Sequence, residues 1–211
     1  MFSKVASGRT GVSRLSVYQQ VLGDDFDALD PQLRRYFGPI PDGFVGVGSG
    51  RYRAAGLHVR ALRPLFAVLA RRGIAFVEYG TDVPFTVRNI PHPDGALSAV
   101  RTFDFANGTR AMRDVMRVAD GRLVDWIGAR GEIEVELSMR VSEGRLRMKS
   151  ERIALRLFGL RVPVPRVIRV LLTEQALPDG AQRVDLRMLA PVIGEIYGYS
   201  GDFTYEVRRD A

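Results

Sequence analysis

The chain has 211 residues, 46% of them apolar, with a formal net charge of +7 and no cysteine. That apolar share suffices for a real core and excludes a disordered chain, and no apolar run near roughly 18 residues offers a membrane span. The missing cysteine removes disulfides, thiolate metal sites and a cysteine nucleophile together, and suits a cytoplasmic protein.

The length fits one large domain, or one domain with appendages. Met1 to Leu15 carries Lys4, Arg9 and Arg14 without a continuous apolar stretch, so residues 1–15 read as a loose tail rather than a signal peptide. Residues 16–211 then form the domain. The basic residues are nearly all arginine, with lysine only at Lys4 and Lys149, and they alternate with acids along the whole chain. No block of like charge appears, so the pattern predicts a solvated mixed-charge surface and no nucleic-acid partner.

Ser16 is placed to cap a helix carrying Val17, Tyr18, Val21 and Leu22, stopped at Gly23. Asp30-Pro31 restarts a helix, with aspartate as N-cap and proline at its first position, and Leu33, Tyr36 and Phe37 share one face. From Phe44 to Ala55 the chain is rich in glycine. Gly46-Val47-Gly48-Ser49-Gly50-Arg51 lacks the lysine and the strand-loop-helix setting of a phosphate loop. It reads as a first strand whose glycines admit a close neighbour. Ala61 to Arg72 has the clearest helical pattern, with Leu62, Leu65, Phe66 and Leu69 on one face and Gly73 as its stop.

Beyond Gly73 the pattern is almost wholly of strands: 75–78, 83–89, 97–105, 111–118, 123–127, 132–141, 145–157, 169–177, 182–189 and 197–207. Pro93-Asp94-Gly95, Asn107-Gly108, Asp120-Gly121, Ser142-Glu143-Gly144 and Pro178-Asp179-Gly180 separate many of them. Ile133, Val135, Leu137, Met139 and Val141 fall on one face and Glu132, Glu134 and Glu136 on the other. Such short turns imply an antiparallel meander. Eight or more strands of this kind close up or stack, because open edges are a hazard. The expectation is an α+β, mostly β domain: a strongly curved antiparallel sheet or β-barrel. Its 61–72 helix covers one end, its N-terminal helices pack outside, and Gly159–Arg166 forms an extended loop at the rim.

Four blocks resemble an uncharacterised bacterial domain of unknown function, found alone or fused behind saccharopine-dehydrogenase-like or short-chain-dehydrogenase-like NAD(P)-binding domains. They are Tyr18-Gln19-Gln20-Val21-Leu22-Gly23 through Leu33; Val100-Arg101-Thr102-Phe103 with Asp125-Trp126-Ile127-Gly128; Gly159-Leu160-Arg161-Val162-Pro163-Val164-Pro165 with Glu174; and Pro191-Val192-Ile193-Gly194 through Tyr199-Ser200-Gly201. Ala99 stands where that family usually has tryptophan, and Asp125 where it usually has glutamate. The resemblance implies small-molecule metabolism and a dehydrogenase as a partner. It supplies no reaction.

The chain has no Gly-x-Ser-x-Gly elbow and no Ser-x-x-Lys, which argues against serine-hydrolase chemistry. Its two histidines, His58 and His92, have no neighbours at metal-ligand spacing, so no metal is expected, and no cofactor. His58 precedes the 61–72 helix, where it would stand at a cavity entrance and move protons near neutral pH. The residues that break alternation carry more information. Arg101 shares a face with Leu97, Ala99, Phe103 and Phe105, and a guanidinium there needs an acid or an anionic ligand. Asp125 and Glu174 are its candidate partners.

Trp126 follows Asp125, and Tyr197, Tyr199, Phe203 and Tyr205 repeat at period two on the last strand. Such a stripe builds a core or lines a pocket. Arg101, Phe103, Trp126, Tyr197, Tyr199 and Phe203 are thus the candidate ligand-binding residues. Asp125, Glu174, His58 and Tyr199 are the candidate catalytic ones. Three readings follow. The domain binds a hydrophobic or amphipathic small molecule; or it is a cofactor-independent cyclase, isomerase or lyase of a natural-product pathway; or its interior is solid and it is the accessory partner of a dehydrogenase.

Overall fold

The structure, a computed structural model, describes residues 15–157, 159–165 and 167–210. Three short helices and eleven strands follow in order: α1 (Val17–Leu22), α2 (Pro31–Phe37), β1 (Phe44–Leu57), α3 (Arg63–Ala70), β2 (Tyr79–Pro91), β3 (Leu97–Phe105), β4 (Gly108–Ala119), β5 (Arg122–Ile127), β6 (Ile133–Ser142), β7 (Arg145–Leu157), β8 (Leu160–Pro163), β9 (Arg169–Ala176), β10 (Gln182–Ala190) and β11 (Gly194–Arg209). Gly23–Ala28 and Arg60–Leu62 are single turns of tighter helix. The strands form one antiparallel sheet in the order β6-β5-β4-β3-β2-β1-β11-β10-β9-β7-β8. A further β6–β7 pairing joins its two flanks, so the sheet closes into a barrel with β8 alone outside the ring. Closure leaves the ring itself without an edge.

The predicted turns make the meander. Asp120-Gly121 and Glu143-Gly144 both take positive φ at each residue, as a two-residue turn matching the strand twist requires. Two expectations change. Residues 75–78 form no strand; Ala75 and Phe76 are drawn into the core of one end instead. Leu160–Pro163, expected within a rim loop, pairs as β8 with residues 154–157 of β7. Its one proline, Pro163, is tolerated because β8 is an edge strand.

The barrel has two different ends because connections in a meander alternate between them. The N-terminal helices do not pack outside, as expected, but close one end. Val17, Tyr18, Leu22, Phe26, Leu33 and Phe37 are buried against inward-facing Met116, Leu123, Leu146 and Met148. These helices are too short to hold themselves, so tertiary contacts fix them. Ser16 and Gln19 form a reciprocal capping box, and Ser16 Oγ donates to the Phe37 carbonyl at 2.6 Å, tying α1 to α2. The Asp30 amide donates to the Gly144 carbonyl at 2.9 Å and Gln32 Nε2 to that of Gly180 at 2.7 Å, both in turns at this end.

The other end is closed by Phe66 of α3 with Ile74, Ala75 and Phe76, packed on Tyr52, Phe103 and Tyr197. On β1, Gly46, Gly48 and Gly50 face the interior, which bears out the expected close neighbour. A methyl group at Gly48 would stand 2.8 Å from Val87 Cγ1 and 3.0 Å from Phe203 Cδ2. The space these glycines free is filled by the aromatic stripe of β11.

Candidate functional site

Alternation directs every second side chain of each strand inward, and most inward positions are apolar. Besides Asn89 and Ser150, the exceptions lie between the two plugs. Arg101 points inward from β3, Asp114 from β4, Asp125 from β5, Glu174 from β9 and Gln182 from β10. Asp114, Asp125, Glu174 and Gln182 are all buried, and the Arg101 side chain is 18% exposed.

Register explains which of these meet. Ala99 lies opposite Asp114 and Arg101 opposite Met112, so Arg101 reaches diagonally across to Asp114. Its Nη1 donates to Asp114 Oδ1. Asp125 lies opposite Met116, which sets Asp125 diagonal to Asp114 on the next strand. On the far wall Leu146, Glu174 and Val184 form one row. Gln182 Nε2 donates to Glu174 Oε2 at 2.7 Å. Tyr18 and Tyr199 lie within electrostatic reach of Arg101 and of all three carboxyl groups, and Tyr36 within reach of Arg101 and Glu174.

Three carboxyl groups therefore share a closed interior with one guanidinium. Burial holds the Asp125 carboxyl well above the usual range, and the neighbouring Asp114 charge adds to this while Arg101 opposes it. Burial also pushes Glu174 up to about 8, against the pull of its Gln182 hydrogen bond and of Arg101. Asp114 is raised by burial, with Arg101 drawing it back. Tyr199 is pushed up to about 12 by burial. Glu174, so shifted, holds its proton at neutral pH and can release it, the property of an acid–base group.

Two oxygens of this cluster, Asp114 Oδ2 and Asp125 Oδ1, are buried without a hydrogen-bond partner. An unmet buried acceptor costs about 1–3 kcal/mol, so such atoms are uncommon unless something else meets them. Met112, Ile127, Ile133, Leu172 and Leu186 face inward at this level yet are only half-buried.

The sequence-derived candidates divide accordingly. Arg101, Asp125, Glu174 and Tyr199 come together. Phe103, Tyr197 and Phe203 are buried in the aromatic core beside them, and Tyr197 Oη donates to Met112 Sδ at 3.4 Å. Trp126 is on the opposite face of β5: its Nε1 donates to Glu134 Oε2 at 3.3 Å, and its ring packs over Gly131. His58 ends β1 on the α3 side, with Nδ1 3.5 Å from Glu195 and its ring 5.4 Å from Tyr79. Among the described residues no hydrogen bond or ion pair joins it to the cluster.

The partner of Arg101 is Asp114, which sequence reasoning passed over. Asp114 breaks an apolar row of Met112, Met116 and Val118 just as Arg101 breaks its own. Tyr18, Tyr36 and Gln182 gave no such signal. Among the described residues no group of three His, Cys, Asp or Glu side chains is arranged to hold a metal ion.

The sequence pattern of the family described as Domain of unknown function (DUF4166) matches residues 29–203, which takes in the whole cluster except Tyr18. No curated protein matches the chain.

Proposed function

We propose, for a chain that belongs to the DUF4166 family, that the barrel interior binds a hydrophobic or amphipathic small molecule. The ligand's apolar body lies along Phe103, Leu172, Leu186 and Phe203. Its polar end meets Arg101, Asp114 and Asp125. One observation carries this reading: two buried carboxylate oxygens without partners beside a guanidinium that is itself partly open. A few convergent polar groups in an apolar enclosure are how such pockets fix a ligand. The resemblance to dehydrogenase-fused proteins supports, as part of this proposal, a role in bacterial, cytoplasmic small-molecule metabolism with an NAD(P)-dependent dehydrogenase as partner.

The test is native mass spectrometry of protein purified from its own host, followed by organic extraction. A stoichiometric amphipathic passenger is expected, and Arg101→Met combined with Asp114→Leu, which removes the pair together, should fold but emerge empty. A wild-type protein at its formula mass would overturn the tight-binding reading.

Glu174 supports a second reading. A carboxyl group pushed up to about 8 is poised to exchange protons near neutral pH. With Asp125 and Tyr199 it would serve a cofactor-independent cyclase, isomerase or lyase that shapes a reactive substrate of a natural-product pathway. Either reading is favoured over a purely accessory protein, which needs no ionisable groups inside.

A further inference from the structure

The end of the barrel closed by α3 gathers exposed apolar side chains. Among the described residues, every large apolar side chain left exposed, apart from Leu15 and Val207, lies in or beside the connections at this end. Leu65 and Val68, one turn apart on α3, are 56% and 49% exposed, and Tyr79 at the start of β2 is 57% exposed. Leu160, Val192 and Ile193 project from the β7–β9 and β10–β11 connections. Apolar residues scattered singly over a surface need no explanation, but their collection at one end does.

Charge collects there too. From His58 to Phe76 the chain contains no acid and four arginines, Arg60, Arg63, Arg71 and Arg72. All four are exposed, and none forms an ion pair among the described residues. The helix dipole suits Arg71 and Arg72. It does not account for Arg60 and Arg63, which line a cleft of about 710 Å³ beneath Tyr79. The cleft's acids are engaged: Asp82 with Arg51, Asp104 with Thr109, and Glu78 Oε1 with Arg110. One acceptor remains, Glu78 Oε2, buried and without a partner.

We propose that this end of the barrel docks on an anionic lipid bilayer. Leu65, Val68 and Tyr79 enter the interface, and the four arginines face the phosphates. Unpaired cations beside exposed apolar side chains are what a charged, partly apolar interface complements. The chain's own residues 1–14 do not: they contain Lys4, Arg9, Arg14 and no acid. No helix among the described residues is long and apolar enough to cross a membrane. Phe66, on the inner side of the same helix, plugs the barrel, so docking would bring the bilayer against the plug. The proposal stands whether or not the interior binds a ligand.

Sedimentation with large vesicles tests it. Vesicles of phosphatidylglycerol and phosphatidylcholine should bind the full chain, and pure phosphatidylcholine should not. At about fivefold per arginine, Arg60→Ala with Arg63→Ala should weaken binding roughly 25-fold. Leu65→Ser with Val68→Ser should weaken it as well, and in a way that high salt does not mask. Arg145→Ala with Arg147→Ala removes equal charge at the opposite end and should leave binding unchanged. All of these side chains are exposed, and circular dichroism checks each fold. An equal loss in the Arg145/Arg147 variant, or none in the Leu65/Val68 variant, would mean adsorption by net charge alone and overturn the proposal. So would absence of binding at low salt, or a dimer that the Leu65/Val68 variant dissolves, which would assign the face to a second copy of the chain.

Discussion

Arg101 on β3 reaches diagonally to Asp114 on β4 and donates to its Oδ1 between the two plugs of the barrel. The Asp114 side chain is 4% exposed. Two charges removed from water repay their desolvation only while they stay together, so losing one partner is far worse than losing both. Asp114→Asn should therefore cost roughly 3–5 kcal/mol of folding stability, whereas Arg101→Met combined with Asp114→Leu should come close to the wild type. Urea denaturation of the single and double variants measures this. A loss below about 1 kcal/mol in Asp114→Asn would show that Arg101 is held by something other than this pair.

The raised carboxyl groups make stability depend on pH. In the unfolded chain Glu174 releases its proton near its ordinary 4.5, and in the fold near about 8. Between these values the folded state binds the extra proton. The contribution of Glu174 is thus fully present below pH 4.5, falls as pH rises, and is lost by about pH 8. The slope from one such group is about 1.4 kcal/mol per pH unit. Asp125, also raised by burial, acts in the same direction. Glu174→Gln keeps an acceptor for Gln182 and cannot titrate. Its denaturation midpoint should fall less steeply from pH 5 to pH 8 than that of the wild type. Parallel curves would remove Glu174 from the account.

The barrel was legible in the sequence because period-two alternation and turn chemistry are local properties. Residues 97–105 and 145–157 were bounded as found, and Asp120-Gly121 marked its turn. Arg101 stood out for the same reason, as a charge in an apolar row. Its partner did not, because the diagonal step from Arg101 to Asp114 depends on the β3–β4 register, which fixes which residues meet across strands. Trp126 shows the converse. Adjacency to Asp125 suggested a shared site, yet neighbours on a strand face opposite ways, and Trp126 meets Glu134 on the outer surface. The position of the N-terminal helices was not legible either. An amphipathic helix announces an apolar face but not which surface buries it, and here the open end of the barrel does.

The glycines of β1 give an ordered series. A methyl group at Gly50 would collide with the Asp202 carbonyl oxygen and lie 2.6 Å from Phe203 Cα, both backbone atoms of the paired strand. Neither can move without breaking the β1–β11 ladder, which joins the first and last strands. At Gly48 the nearest atoms belong to the Val87 and Phe203 side chains, which can shift by tenths of an ångström. At Gly46 the obstacle is the hydroxyl end of Tyr205, which can swing away at the cost of its contact with Asn89, 3.4 Å distant. Overpacking a close contact of this kind costs about 1–3 kcal/mol, occasionally more. Gly50→Ala should reach the top of that range or exceed it, Gly48→Ala should fall within it, and Gly46→Ala should cost least. Thermal and urea denaturation of the three variants would check the order, and a Gly50→Ala protein as stable as Gly46→Ala would contradict the close β1–β11 approach.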